Sequence, residues 1–300
     1  MRFGLVVVLA VILASVEGGC SPNQPVSGRL PVVATTTVFA DLVARVGGPD
    51  VTVSSLVPKG GEVHTFDPSP GDVARVTEAR LVFVNGLGLD DWAEALAIDA
   101  EVPADRIVAL APDLPGVEYL EGDEGPSGNP NPHLWLDVRY AVLYVDRIAD
   151  RLAAVDPQHA DGYRERSAAY REELEALDGW ARDQLATIPS SRRSIVSFHD
   201  ALPYFARAYG LTIAGVVVEA PGQDPSAGEI ADLVARIRVA GVHAIVSEVQ
   251  FAPDLARTIA EETGATVIAD LYTDSLGDPP VDSYEELIRY DVGRLVDALG

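Results

Sequence analysis

DPQHADGYRERSAAYREELEALDGWARDQLATIP, residues 156–189, reads as one long helix. Asp156 is a good N-cap, Pro157 suits the first turn, and Pro189 marks the stop. Between them Tyr163, Tyr170, Leu174, Leu177, Ala181, Leu185 and Ile188 recur at spacings of three, four and seven. That spacing is an apolar stripe on one helix face. At 1.5 Å per residue the helix spans roughly 45 Å, the width of a domain. Gly162 and Gly179 oppose it, each costing about 1 kcal/mol relative to Ala. The alternative is a hairpin of two shorter helices turning at Asp178-Gly179.

Working outward, both flanks alternate strand and helix patterns. Toward the N-terminus, PVVATT (31–36) reads as a strand and Val38–Val46 as a helix; Val51–Val57 and Leu81–Val84 follow as strands. Helices over Gly71–Ala79 and Trp92–Ile98, a strand at Ile107–Leu110 and a helix from Asp137 to Val155 complete that side. Toward the C-terminus, strands are expected at Ser194–Ser197, Leu211–Val218, Ala244–Val249 and Thr266–Ala269. Helices separate them, and Ser283–Leu299 closes the chain. Such alternation predicts parallel sheets covered on both faces. The expected fold is α/β, with two lobes, each a parallel sheet flanked by helices, bridged by one long backbone helix. The division is a signal peptide at 1–20, a tether at 21–30, lobes at 31–155 and 190–300, and the bridging helix at 156–189.

Lys+Arg 22 against Asp+Glu 46 leaves a formal net charge of −24. Nucleic acid and anionic membrane surfaces both need basic patches, so neither is an expected partner. Met1-Arg2 followed by the apolar run Phe3–Val16 reads as an export signal, too short to span a membrane. VEGGC then places the one cysteine, Cys20, where a bacterial lipoprotein carries its lipid, although Glu17 stands where that box usually has an aliphatic residue. The mature chain is therefore expected outside the cytoplasm, anchored by lipid on Cys20 or free in the periplasm. With no second cysteine, disulfides and thiolate metal sites are excluded.

Of 5 histidines, His64, His133 and His199 stand in loops after a strand or at the head of a helix. Ligands bind at the carboxyl ends of strands in open parallel sheets. Neutral imidazole is the commonest protein ligand for zinc-like metals, and Asp274, in the loop after the last strand, is a carboxylate to complete such a site. Three imidazoles of ordinary pKa, about 6.5, would make metal affinity fall steeply below that pH. Glu62 is read as a solvated loop carboxylate that competes for the ligand role. Glu219 and Glu248 end strands and stand open between supporting the ligands and plain surface. His159 is expected to be solvated at a helix start, and His243 to pack or hydrogen-bond at the wrong end of its strand. The Trp and Tyr residues need no role beyond packing. No HExxH helix, P-loop or G-x-S-x-G elbow is present, and Ser197, His199 and Asp200 are too close in sequence to converge as a triad.

PKGGEVHTFDPSP, NPHLWLD, SFHDALPYFARAYG, EAPGQDPSAGEI and LYTDSLG occur in the order seen in bacterial zinc/manganese ABC-transporter substrate-binding proteins, and residues 30–300 resemble that family. The resemblance implies two α/β lobes with a metal held between them by His64, His133, His199 and Asp274. It implies zinc, or alternatively manganese, captured outside the cytoplasm and handed to a permease driven by a separate ATPase, the binding protein acting as a monomer rather than an enzyme. Val63 and Val138 replace prolines usual in the family, and residues 121–130 contain no histidine where many zinc-specific members have a His-rich loop. Rival classes are a secreted zinc hydrolase using Asp274 as base, and an adhesin-like surface protein with a structural metal.

Overall fold

The structure, a computed structural model, describes residues 28–122, 128–218 and 222–300. The signal peptide, Glu17, Cys20 and Glu219 lie outside the described residues. The N-terminal half runs β1 (Leu30–Ala34), α1 (Thr37–Gly47), β2 (Val51–Ser55), α2 (Pro70–Glu78), β3 (Leu81–Val84), α3 (Asp91–Asp99) and β4 (Ile107–Ala109). Two long helices follow, α4 (Val138–Val155) and α5 (Ala160–Ala186). The C-terminal half runs β5 (Ser194–Ser197), α6 (Pro203–Tyr209), β6 (Thr212–Val216), α7 (Ala227–Ala240), β7 (Ala244–Glu248), α8 (Asp254–Thr263), β8 (Thr266–Leu271) and α9 (Tyr284–Leu299).

All strand pairs are parallel, in the orders β2-β1-β3-β4 and β6-β5-β7-β8. The halves thus repeat one topology without a visible sequence repeat. In each sheet the first strand sits between the second and the third, so the chain reverses its direction of travel there. That is the switch point at which open α/β sheets leave a crevice. His199 follows β5, the reversal strand of its sheet.

Helix α5 is continuous over 27 residues, about 40 Å at the usual rise. Asp178-Gly179 is not a turn. A Cβ built on Gly179 would meet nothing within 4 Å, so the glycine sits in the helix without a packing reason. The predicted stripe is buried throughout, with Ser167 filling the gap between Tyr163 and Tyr170. The helix begins later than expected, because Pro157–His159 form a 3₁₀ turn. That short connection folds α4 back along α5, the most extensive contact between any two described elements. Helices α4 and α5 therefore form an antiparallel pair, and α5 also packs on α1 and α9.

One hydrophobic core runs through both halves. Val32 and Phe83 of the first sheet, Leu174 and Leu177 of α5, Ile195 and Val246 of the second sheet, and Leu287 of α9 belong to the same buried cluster. Polar bonds cross the same seam. Trp135 Nε1 donates to Thr273 O at 2.9 Å, Tyr284 Oη to Trp135 O at 2.6 Å, and Leu276 N to Thr37 Oγ1 at 2.7 Å. A shared core of this kind opposes wide hinge opening, since parting the halves would expose apolar area at about 25 cal/mol per Å².

Candidate metal centre

The loop after β2 carries His64. Its backbone N donates to Glu62 Oε1 at 2.7 Å, and Trp92 of α3 donates Nε1 to Val63 O at 2.7 Å. Residues 59–66 are thereby tied to α3 although they form no regular element. His133 precedes the 3₁₀ turn Leu134–Leu136, which leads into α4. Asp137 caps α4 by accepting from Arg139 N at 3.1 Å. His199 comes two residues after β5, and Asp274 three residues after β8.

The four side chains converge. One donor atom from each of His64, His133, His199 and Asp274 lies within 4.8 Å of the others. His64 Nε2 is 3.8 Å and His199 Nε2 3.5 Å from Asp274 Oδ2, while His133 Nε2 is 3.6 Å from Asp274 Oδ1. Tetrahedral ligands about 2.0 Å from a zinc ion stand roughly 3.3 Å apart, so these edges need close by only a few tenths of an ångström. His133, His199 and Asp274 are fully buried, and the His64 side chain is 9% exposed, which places the solvent side of the cluster at His64. Asp274 Oδ1 is buried and accepts no hydrogen bond among the described residues. A buried carboxylate oxygen left this way is costly unless a cation satisfies it. The donor set fits a divalent transition metal.

Each donor is held from behind. Asn131 Oδ1 accepts from His133 N at 3.0 Å and faces Nδ1 at 3.1 Å. Because an amide oxygen only accepts, Nδ1 bears the hydrogen and Nε2 keeps its lone pair for the centre. Glu248, fully buried at the end of β7, sets Oε1 3.0 Å from His199 Nδ1, an ion-pair contact that steadies that ring from behind. Gln250 Nε2 donates to Asp274 Oδ2 at 3.0 Å.

Burial separates the imidazoles electrostatically. It lowers His64 to about 4 and His133 well below the ordinary value, against the opposing pull of Asp274. Burial also acts to lower His199, but the Glu248 and Asp274 carboxylates reverse this and hold its proton well above the usual histidine range. Asp274 is disfavoured as an anion by burial, yet its contact with His199 and the neighbouring imidazoles outweigh this and lower it. Burial, reinforced by the charge of Asp274, raises Glu62 to about 7.

Several readings of the sequence need correction. Glu62 is no solvated carboxylate; it is mostly enclosed and supports the His64 backbone. Glu248 resolves to a partner of His199. Trp92 and Trp135 do more than pack, because their indole N–H groups fasten the loops of His64 and Asp274. His243 is exposed rather than packed; the His159 side chain is 41% exposed, as expected at a helix start, with Nδ1 2.7 Å from Asp156 Oδ2. The sequence singled out neither Asn131 nor Gln250. Asn131 had one signal, its place two residues before a candidate ligand in NPH.

Fold and site together define an α/β protein with a buried nitrogen-and-oxygen donor cluster between two sheets, a binding protein's architecture. Residues 32–298 match the family described as zinc-uptake complex component A, periplasmic, and the chain belongs to it. The metal ABC transporter substrate-binding lipoprotein FimA of Streptococcus parasanguinis is 30% identical over 302 residues, covering 97% of each chain. The manganese-binding lipoprotein MntA of Halalkalibacterium halodurans is 28% identical over 295 residues, covering 96% of each. Among solved structures, the periplasmic zinc binding protein TroA from Treponema pallidum superposes with a TM-score of 0.82 at 25% identity, covering 91% of this chain and 100% of its own.

Proposed function

We propose that the chain is an extracytoplasmic solute-binding protein that captures one divalent transition metal and delivers it to an ABC-transporter permease powered by a separate ATPase. The observation that carries this reading is the convergence of His64, His133, His199 and Asp274 in a buried cluster. We assign these four as the metal's ligands, with residues 31–155 and 190–300 as the two lobes and 156–189 as the bridge. Three imidazoles and a carboxylate suit zinc, with manganese the alternative. Relatives named for each metal support the class of cargo without choosing between them.

Four inward donors would fill the tetrahedral shell of a zinc ion, which suits a carrier rather than a zinc enzyme that keeps a position for water. We read the protein as a non-enzymatic monomer, tethered through lipid on Cys20. Metal analysis of protein purified without chelator, followed by competitive titration with Zn²⁺ and Mn²⁺, tests the reading. One tightly held equivalent, lost on substitution of any of the four residues, is expected. Wild-type protein that binds neither ion tightly overturns it.

A further inference from the structure

Asn131 is a fully buried polar side chain whose four hydrogen-bond contacts point in two directions. Its Oδ1 faces His133, accepting from N at 3.0 Å and lying 3.1 Å from Nδ1. Its Nδ2 donates across the seam to Asp200, to the backbone O at 2.6 Å and to Oδ2 at 3.0 Å. Asp200 directly follows His199. One amide thus sits between the segments that carry a donor from each half of the molecule. Tyr204 of α6 also donates to Asn131 O at 3.1 Å and accepts from Leu120 N at 3.0 Å, so the backbone here is anchored independently of the Asn131 side chain.

We infer that Asn131 is a positioning residue with two separable jobs: its oxygen fixes the tautomer of His133, and its nitrogen latches the His133 segment to the His199 segment, setting the rate at which bound metal escapes. The argument rests on the metal-binding reading above. For a buried ion to leave, at least one donor must swing away, and parting the His133 and His199 segments is a movement that releases a donor from each half of the molecule. The Nδ2 bonds oppose that movement, and they lie in a buried seam, where leaving a polar group without its partner is costly. Residues that hold ligands from behind commonly change metal affinity by about 10–100-fold when lost.

Two variants separate the jobs. Asn131→Asp keeps an acceptor toward His133 and turns the latch into oxygen against the Asp200 oxygens. Asn131→Leu keeps the size and removes both functions. In metal-free protein, ¹⁵N-resolved NMR of the histidine rings should report the Nδ1–H form of His133 in wild type and in Asn131→Asp, and a mixture in Asn131→Leu. Release of Zn²⁺ to a chelator in stopped flow should be faster than wild type by about tenfold in both variants. In Asn131→Asp a proton shared with Asp200 would rebuild the bond, so release is followed upward in pH to where both carboxyls are ionised; acceleration there, against the added negative charge, isolates the latch. An unchanged or slower rate in Asn131→Asp at every pH overturns the latch. An unchanged His133 tautomer in Asn131→Leu overturns the orienting role. Failure of wild-type protein to bind metal would instead sink the functional reading, a result distinct from either.

Discussion

Glu248 Oε1 stands 3.0 Å from His199 Nδ1, with both side chains fully buried. A carboxylate against the far nitrogen of a metal-facing imidazole fixes the ring and makes it a stronger donor. Glu248→Gln preserves an acceptor for Nδ1–H and removes the charge. Zinc affinity should fall about tenfold in that variant and further in Glu248→Ala, measured by chelator competition. Equal affinities in wild type and both variants would show that Glu248 is a bystander.

Near pH 7 the metal should displace one proton from His199 and a fraction of one from Glu62, which is raised to about 7. His64 and His133 are held neutral by burial, so near pH 7 they offer lone pairs without losing a proton. His199 is raised by its two carboxylates, so the metal-free protein carries a proton there that the metal must displace. The sign follows: lower pH favours the proton and weakens binding, by about one logarithmic unit of affinity per pH unit through the neutral range, plus the fraction from Glu62. A steeper fall begins only when His64 is protonated, at about 4. Three imidazoles of ordinary pKa would instead steepen the curve below about 6.5. Calorimetry in buffers of different ionisation heat counts the protons; two or more released at pH 7 contradicts this arrangement.

How much of this was legible beforehand depends on how far apart in sequence the cooperating residues lie. The α5 stripe is a local period, and all of it is buried. The strand-end positions of His64, His133, His199 and Asp274 are also local signals, because strand and loop patterns mark them without any knowledge of neighbours. Their supports are different. Trp92 reaches Val63 across 29 residues, Asn131 reaches Asp200 across 69, and Trp135 reaches Thr273 across 138. Nothing in a one-dimensional pattern tells an inward glutamate from a solvated one, and so Glu62 was misplaced.

Helix α5 gives a stability test free of the metal. Gly179 is exposed in mid-helix and an added methyl meets no atom within 4 Å. Gly179→Ala should therefore stabilise the metal-free protein by about 0.5–1 kcal/mol. Leu177→Ala, two residues away and fully buried, should cost about 2–5 kcal/mol. Urea denaturation measures both. A destabilising Gly179→Ala would mean that the helix is strained or broken at that point.

Ligand-linked stability separates the histidines. Metal at a hundred times its dissociation constant should raise the unfolding free energy by about 2.7 kcal/mol. His133→Ala should abolish most of that increment, while His243→Ala, exposed and remote from the cluster, should keep it. Similar losses in the two variants would discredit the ligand set.

Selectivity should turn on His199, and Glu248 complicates the obvious test. Imidazole suits Zn²⁺ and hard oxygen suits Mn²⁺, and the Irving–Williams order also ranks zinc above manganese. His199→Glu should therefore shrink the zinc-to-manganese affinity ratio. It also removes the Nδ1–H group that faces Glu248 and adds a carboxylate to a dry cavity that already holds Glu248 and Asp274. Like charges so placed cannot all stay ionised, and one takes up a proton. The single variant should thus bind both ions more weakly near pH 7. His199→Glu combined with Glu248→Gln removes the excess charge while keeping the oxygen donor. In that double variant manganese affinity should recover relative to His199→Glu, and the zinc-to-manganese ratio should sit at least tenfold below wild type, about 1.4 kcal/mol. Competitive titration of the three proteins decides it. A ratio unchanged in the double variant, with both metals still bound, would move the origin of selectivity from residue 199 to the spacing of the loops.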